Sequence, residues 1–231
     1  MEGFTYIDIF ATKGVEYLLV ISVLLLFIPF WRLVCRPARA IYEATENIVP
    51  AFSEWFRLAE DKVYYHQGHS WARPESGNVV SVGMDDFARK LVGKVDAIKL
   101  PQVGTKLAQG ETGWSLLAGS KAIEMLSPVD GEIIAINESL LKSPESIGQD
   151  PYGKSWLMKV RAPKISANLS NLLSGGLARK WMEEVRQSLL ARMNYNLGTL
   201  SQDGGVPVDG IARSLDRDKW DEIVKEYFLI S

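Results

Sequence analysis

Few residues in this chain have the type and spacing to do chemistry. Its two histidines, His66 and His69, form an H-x-x-H pair. On a strand, positions three apart point to opposite faces, so the pair is poorly placed to share a metal ion. The single cysteine, Cys35, is remote in sequence and completes no zinc set with them. One cysteine also excludes an internal disulfide and a thiolate-held iron–sulfur cluster. Asp85 and Asp86 are adjacent carboxylates, which do not face one substrate together. Standing ahead of Phe87, Ala88, Leu91 and Val92, they suit a helix N-terminus, with Gly93 as the stop. Gly204-Gly205 is a turn signal rather than a phosphate-binding loop. No Ser–His–Asp arrangement and no redox motif is present. These residues point away from an enzyme.

The chain has 231 residues, 26 basic against 28 acidic, and a net charge of −2. Nothing in that balance favours nucleic acid. At 47% hydrophobic and 23% charged residues, the average is that of a globular protein, but one stretch departs from it. Tyr17–Trp31 reads YLLVISVLLLFIPFW without a charge. With its flanks, 15–35 reaches the roughly 20 residues that span a hydrocarbon core. A cleaved signal peptide has its basic residues first; here Arg32, Arg36 and Arg39 follow the apolar run. The expectation is a retained transmembrane helix in the lipid bilayer of the inner (cytoplasmic) membrane, N-terminus out and main domain cytoplasmic. Residues 1–14 form an outer interfacial tail. Residues 36–62 form a membrane-proximal linker, amphipathic through Ile41, Ala44, Ile48, Phe52, Trp55 and Phe56, with Pro50 as a break. Cys35 sits at the inner edge, where a small buried side chain outweighs a lipidated thiol.

From 63 to 161 the texture changes. Short runs (NVVSV, DAIKL, TKLAQ, WSLLA, AIEML, GEIIAI, WLMKV) alternate with turn signals such as SGN, SPVDG and DPYG. Many short strands with Gly/Pro turns predict a sandwich or flattened barrel. Longer strings then carry a family resemblance: His69-Ser70-Trp71 as an H-x-W opening, SVGMDDFARKLVGKVDAIKLPQVGTKLAQGE from Ser81 to Glu111, SPVDGEIIAIN from Ser127 to Asn137, and SPESIGQDPYGKSWLMKV from Ser143 to Val160. In that order they resemble the glycine cleavage system H protein, a lipoyl-domain carrier. The resemblance implies a fold that is mainly β: a lipoyl or H-protein-like β-sandwich with one small helix. It also implies a function, in which a lysine on a hairpin tip carries lipoamide and shuttles an aminomethyl group between enzymes. The cofactor supplies that chemistry and the protein presents it.

At the tip the resemblance breaks. The family reads approximately E-S-V-K-A, and the gapless match gives Leu117-Ala118-Gly119-Ser120-Lys121. Ser120 takes the place of the modified lysine, Lys121 lies one residue later, and Leu117 replaces the acidic residue. A shift of one residue matters on a strand, where successive side chains face opposite ways. The approach to the tip, Trp114, Leu116, Leu117 and Ala118, is apolar. Two readings stand: lipoate on Lys121, or a domain without an arm, whose apolar approach contacts a partner.

Residues 162–231 form a C-terminal helical extension. Leu177, Trp181, Val185, Leu189 and Met193 recur every four residues, and Ser201–Pro207 makes a polar turn. A last helix starts near Asp216 as its cap. Trp220, Ile223, Val224, Tyr227 and Phe228 form its apolar face, and Asp221, Glu222, Lys225 and Glu226 face out. The expected partner-contact residues are Trp114, Leu116, Leu117, Trp181, Trp220 and Tyr227. Together these features describe a non-catalytic accessory or scaffold subunit of a membrane complex, of respiratory or hydrogenase type, without cofactor or metal. The alternative is a membrane-tethered lipoyl carrier using Lys121.

Overall fold

The structure, a computed structural model, describes residues 9–34, 55–59, 62–197 and 209–230. The chain divides into two compact units, Met1–Val49 and Pro50–Ser231.

The described residues of the first unit form one helix, α1 (Ile9–Val34), 26 residues long with Pro29 inside it. It begins six residues ahead of the expected span, so the end of the expected tail is helical. At a rise of 1.5 Å per residue it extends about 39 Å. Its apolar side chains from Tyr17 to Ile28 are 52–70% exposed. Ser22 returns its hydroxyl to the Leu18 carbonyl at 2.7 Å, which spares the apolar surface a free polar group. Among the described residues, no helix is long and apolar enough to cross a membrane. Cys35, the start of the tail, the Ser201–Pro207 turn and the linker helix before Trp55 lie outside the described residues.

Among its described residues the second unit has nine strands: β1 (Tyr64–Tyr65), β2 (Ser70–Pro74), β3 (Val79–Met84), β4 (Ala97–Lys99), β5 (Lys106–Leu107), β6 (Thr112–Ala118), β7 (Lys121–Leu126), β8 (Gly131–Ile136) and β9 (Met158–Arg161). All pairings between them are antiparallel, in a six-stranded sheet of order β1-β2-β3-β9-β8-β5 and a three-stranded sheet β4-β6-β7. The seven expected runs each contribute a strand. The pair β1 and β2 was not expected, because YY is short and SWARP does not alternate. Trp71 on β2 explains its place. Its ring is fully buried, and its Nε1 donates to the Met84 carbonyl at 2.9 Å and the Pro151 carbonyl at 3.1 Å. The ring lies across Gly83, its strand partner, where a Cβ would stand 2.5 Å from the indole. Val80, Val82, Ile133, Met158 and Val160 fill the core around it.

Helix α2 (Asp86–Val92) follows β3 as expected, with Asp85 as N-cap and Gly93, at φ 78°, as C-cap. Two short helices follow, α3 (Glu138–Lys142) and α4 (Ile165–Ser170). The extension contains α5 (Gly175–Leu197), α6 (Ile211–Leu215) and α7 (Trp220–Phe228). In α5 the four-residue pattern is corrected: Leu177 is 68% exposed, while Ala178, Met182 and Leu189 are buried. A helix turns 3.6 residues per turn, so a row taken every fourth residue slips round it. Leu177 and Leu189 end about 120° apart. Helix α6 was not expected. Asp216 was expected to cap the last helix; it accepts the N–H groups of Asp218 and Lys219 at 2.9 Å in the turn before it. Those two hydrogen bonds hold its carboxyl below the usual range. Of the expected outer face of α7, Asp221 is in fact buried.

Candidate functional site

The hairpin between β6 and β7 places the candidate lysine. Ala118 pairs with Lys121, so Gly119 and Ser120 form a two-residue turn. Gly119 comes first, with φ 63°, as a type II′ hairpin turn requires. Its N–H donates to the Asp96 carboxylate at 2.7 Å, which pins the turn. The cross-strand pairs Trp114–Met125, Leu116–Ile123 and Ala118–Lys121 then share one face. On that face Trp114 is 2% exposed, and Leu116, Ala118, Ile123 and Met125 are fully buried. Lys121 therefore leaves the hairpin on the core side. Its Nζ lies 3.2 Å from Oδ2 of Asp221 on α7, with the lysine side chain 45% and the aspartate side chain 12% exposed. Lys225, one turn further along α7, stands 4.0 Å from the same carboxylate. Ser120, in the place of the family's lysine, is exposed in the turn.

This geometry corrects the expected partner contacts. Trp114 and Leu116 belong to the sandwich core. Trp220 is 6% exposed, and the Arg213 guanidinium lies 4.5 Å from its ring centroid. Trp114, Leu116, Ala118, Ile123 and Met125 of the hairpin are covered by the chain itself. Leu117, Trp181 and Tyr227 are half-buried. Trp181 packs 4.8 Å from His69, and Tyr227 packs 5.3 Å from Phe87.

A second cluster joins the sandwich to the extension. His69 is 1% exposed, and its Nδ1 meets the Asp85 carboxylate at 2.8 Å. The other Asp85 oxygen accepts the Ala88 N–H at 2.8 Å, so one carboxylate both caps α2 and orients the imidazole. Phe87 stacks on the imidazole at 4.2 Å and Phe228 lies at 6.0 Å. Sequence reasoning explained His69 by the H-x-W match and missed this joint. The signal available was a histidine and a capping carboxylate bracketing two strands.

Asp86 faces elsewhere, as adjacent carboxylates must. Fully buried, it accepts the Arg57 N–H at 3.0 Å and has Arg89 and Lys90 within 3.5 Å. Lys90 donates to the Trp55 carbonyl and the Tyr152 hydroxyl donates to the Arg57 carbonyl, so residues 55–57 are tied to α2. Burial pushes the Tyr65 phenol up to about 12 and holds Tyr152 well above its ordinary value, which keeps both hydroxyls neutral. His66 accepts the Gly68 N–H on its Nδ1 at 3.0 Å. Burial and the neighbouring His69 hold its pKa below the ordinary value. Among the described residues, no group of three or more His, Cys, Asp or Glu could hold a metal ion.

Residues 63–185 match the family described as glycine cleavage H-protein, just over half of the chain. The match ends inside α5 and leaves out α1, α6 and α7. The glycine cleavage system H protein of Thermus thermophilus is 37% identical over 113 residues, covering 49% of this chain and 87% of that protein. Glycine cleavage system H protein 2 of Pseudomonas aeruginosa is 41% identical over 109 residues, covering 47% and 83%. The crystal structure of a glycine cleavage system H protein from Mycobacterium marinum aligns with 55% of this chain and 99% of its own, at 23% identity and a TM-score of 0.48.

Proposed function

The chain belongs to the glycine cleavage H-protein family, and from that premise we propose that it acts as a membrane-tethered, non-catalytic subunit whose H-like domain packs rather than carries. The family holds lipoate on a lysine. The tip of this chain does not fit that group. A serine hydroxyl at Ser120 cannot form the lysine amide. The carrying observation is that Lys121 leaves the hairpin on the buried face and ends on Asp221 of the chain's own α7. A swinging arm needs a free, outward-facing lysine, whereas this one is paired with a carboxylate of the chain's own helix.

The tether rests on α1. Its continuous apolar stretch is exposed from Tyr17 to Ile28 and is flanked by the arginines that hold a segment's end at the cytoplasmic side. A tethered domain without an arm has a use as a fixed member of a membrane assembly. A respiratory or hydrogenase-type complex is the setting proposed. A lipoyl carrier through Lys121 is the second reading, favoured by the 45% exposure of that side chain.

The test is purification from the membranes of the host, with peptide mass spectrometry of Lys121 and identification of stable companions. An unmodified lysine and stoichiometric membrane subunits are expected. A lipoyl mass on Lys121, with activity lost in Lys121→Arg, would establish the carrier instead.

A further inference from the structure

We propose that the C-terminal extension is a cap in cis on the hairpin tip, latched by Asp221 on Lys121. The proposal rests on the reading of the tip as a packing surface, but its test measures a different quantity. Helices α6 and α7 each bring one side chain to the hairpin tip. Arg213 of α6 stands 3.6 Å from where a Cβ on Gly119 would project, and Asp221 of α7 takes the Lys121 ammonium.

The cap is also seated at both ends by backbone contacts that no side chain would allow. At its entry, the N–H of Gly210 donates to the Lys90 carbonyl at 2.8 Å, and a Cβ on Gly93 would meet the Gly210 Cα at 2.6 Å. At its exit, a Cβ on Gly68 would meet the Phe228 carbonyl oxygen at 2.8 Å. Backbone brought this close needs glycine. Between these seats, Asp221 is a largely buried carboxylate, and such a charge requires a cation. Lys121 supplies the nearer one from the sandwich, across the joint, at 3.2 Å, and Lys225 of α7 itself stands at 4.0 Å. Closing the cap therefore engages the Lys121 amine, and an agent acting on that amine competes with Asp221 for it.

Amine reactivity in the full-length protein reads this directly. A brief pulse of a water-soluble activated acetyl ester, followed by peptide mass spectrometry, gives relative rates for Lys121, Lys94 and Lys142. The last two side chains are 80% exposed and serve as references. In the unaltered chain Lys121 should react at least threefold more slowly than either reference, a comparison that needs no variant. In Asp221→Asn, the Lys121 rate should rise at least twofold while the references hold. Should Asp221→Asn fail to fold, Gly68→Ala, which lifts the end of α7, should raise the Lys121 rate in the same way. Reaction of Lys121 at the reference rate in the unaltered chain, or a rise below twofold in the folded variant, would overturn the cap. Either result leaves the mass-spectrometric test of Lys121 in its host unaffected, so the two proposals fail separately.

Discussion

The two ends of α7 rest on the sandwich by opposite physics. At the N-terminal end, Asp221 meets Lys121 in a pair that keeps solvent on the lysine. At the C-terminal end, Phe228 is fully buried, beside a His69 stacked on Phe87 and held by Asp85. Burying a phenylalanine stabilises by about 1.5–3 kcal/mol, whereas a partly exposed ion pair contributes about 0–1 kcal/mol. The aromatic end therefore holds the helix down, and the charged end selects what it covers.

The largest break in that comparison should come from Phe228→Ala, which empties a fully buried site. Urea unfolding should show a loss of about 3–5 kcal/mol. A loss below about 1 kcal/mol would mean that the aromatic end does not hold α7.

Next is Asp85→Ala. It removes the cap acceptor for Ala88 and leaves buried His69 without its carboxylate. Lost cap and unsatisfied buried group together should cost about 2–4 kcal/mol. An Asp85→Asn variant keeps an acceptor for the Ala88 N–H and should recover part of that. Equal losses in the two variants would show that the cap is not the part being measured.

The charged end should give a smaller number. Lys121→Met should cost less than about 1 kcal/mol by the same unfolding measurement, because the side chain is nearly half exposed. A cost as large as that of Phe228→Ala would erase the distinction between the two ends.

The smallest effect is a pH dependence at His66, beside the Gly68 that seats α7. Its pKa in the folded chain lies below the ordinary value of 6.5, chiefly through burial and then through His69. The unfolded chain then binds the proton more readily, so stability is full above pH 6.5 and declines as pH falls from there through the folded pKa. Thermal melts of the unaltered chain and of His66→Gln, compared at pH 7.5 and pH 5, should show the smaller drop in the variant. An equal drop in both would clear His66 of the effect.

Much of this could be read along the chain, because it depends on local rules. Short β-branched runs between Gly/Pro turns set the strands of the sandwich. Asp85 and Gly93 bracket α2 through contacts within four residues. The apolar spacing of Trp220, Ile223, Val224 and Phe228 gave the buried face of α7. The offset at Ser120 and Lys121 was visible in the match, and alternation on a strand already implied that one residue would change the face.

What that face would meet was decided only by tertiary structure. Lys121 and Asp221 are a hundred residues apart, and the other partners across the joint, Gly68 with Phe228 and Gly93 with Gly210, are further apart still. No periodicity relates such positions, because each pairing depends on the path of the chain between them. Asp221 looked solvent-facing, since its partner on its own helix, Lys225, is itself nearly half exposed. A lysine supplied by the sandwich reversed that. Trp114 and Leu116 looked like an open apolar surface for the same reason: the core and helices that cover them lie elsewhere in the sequence, and only folding brings them there.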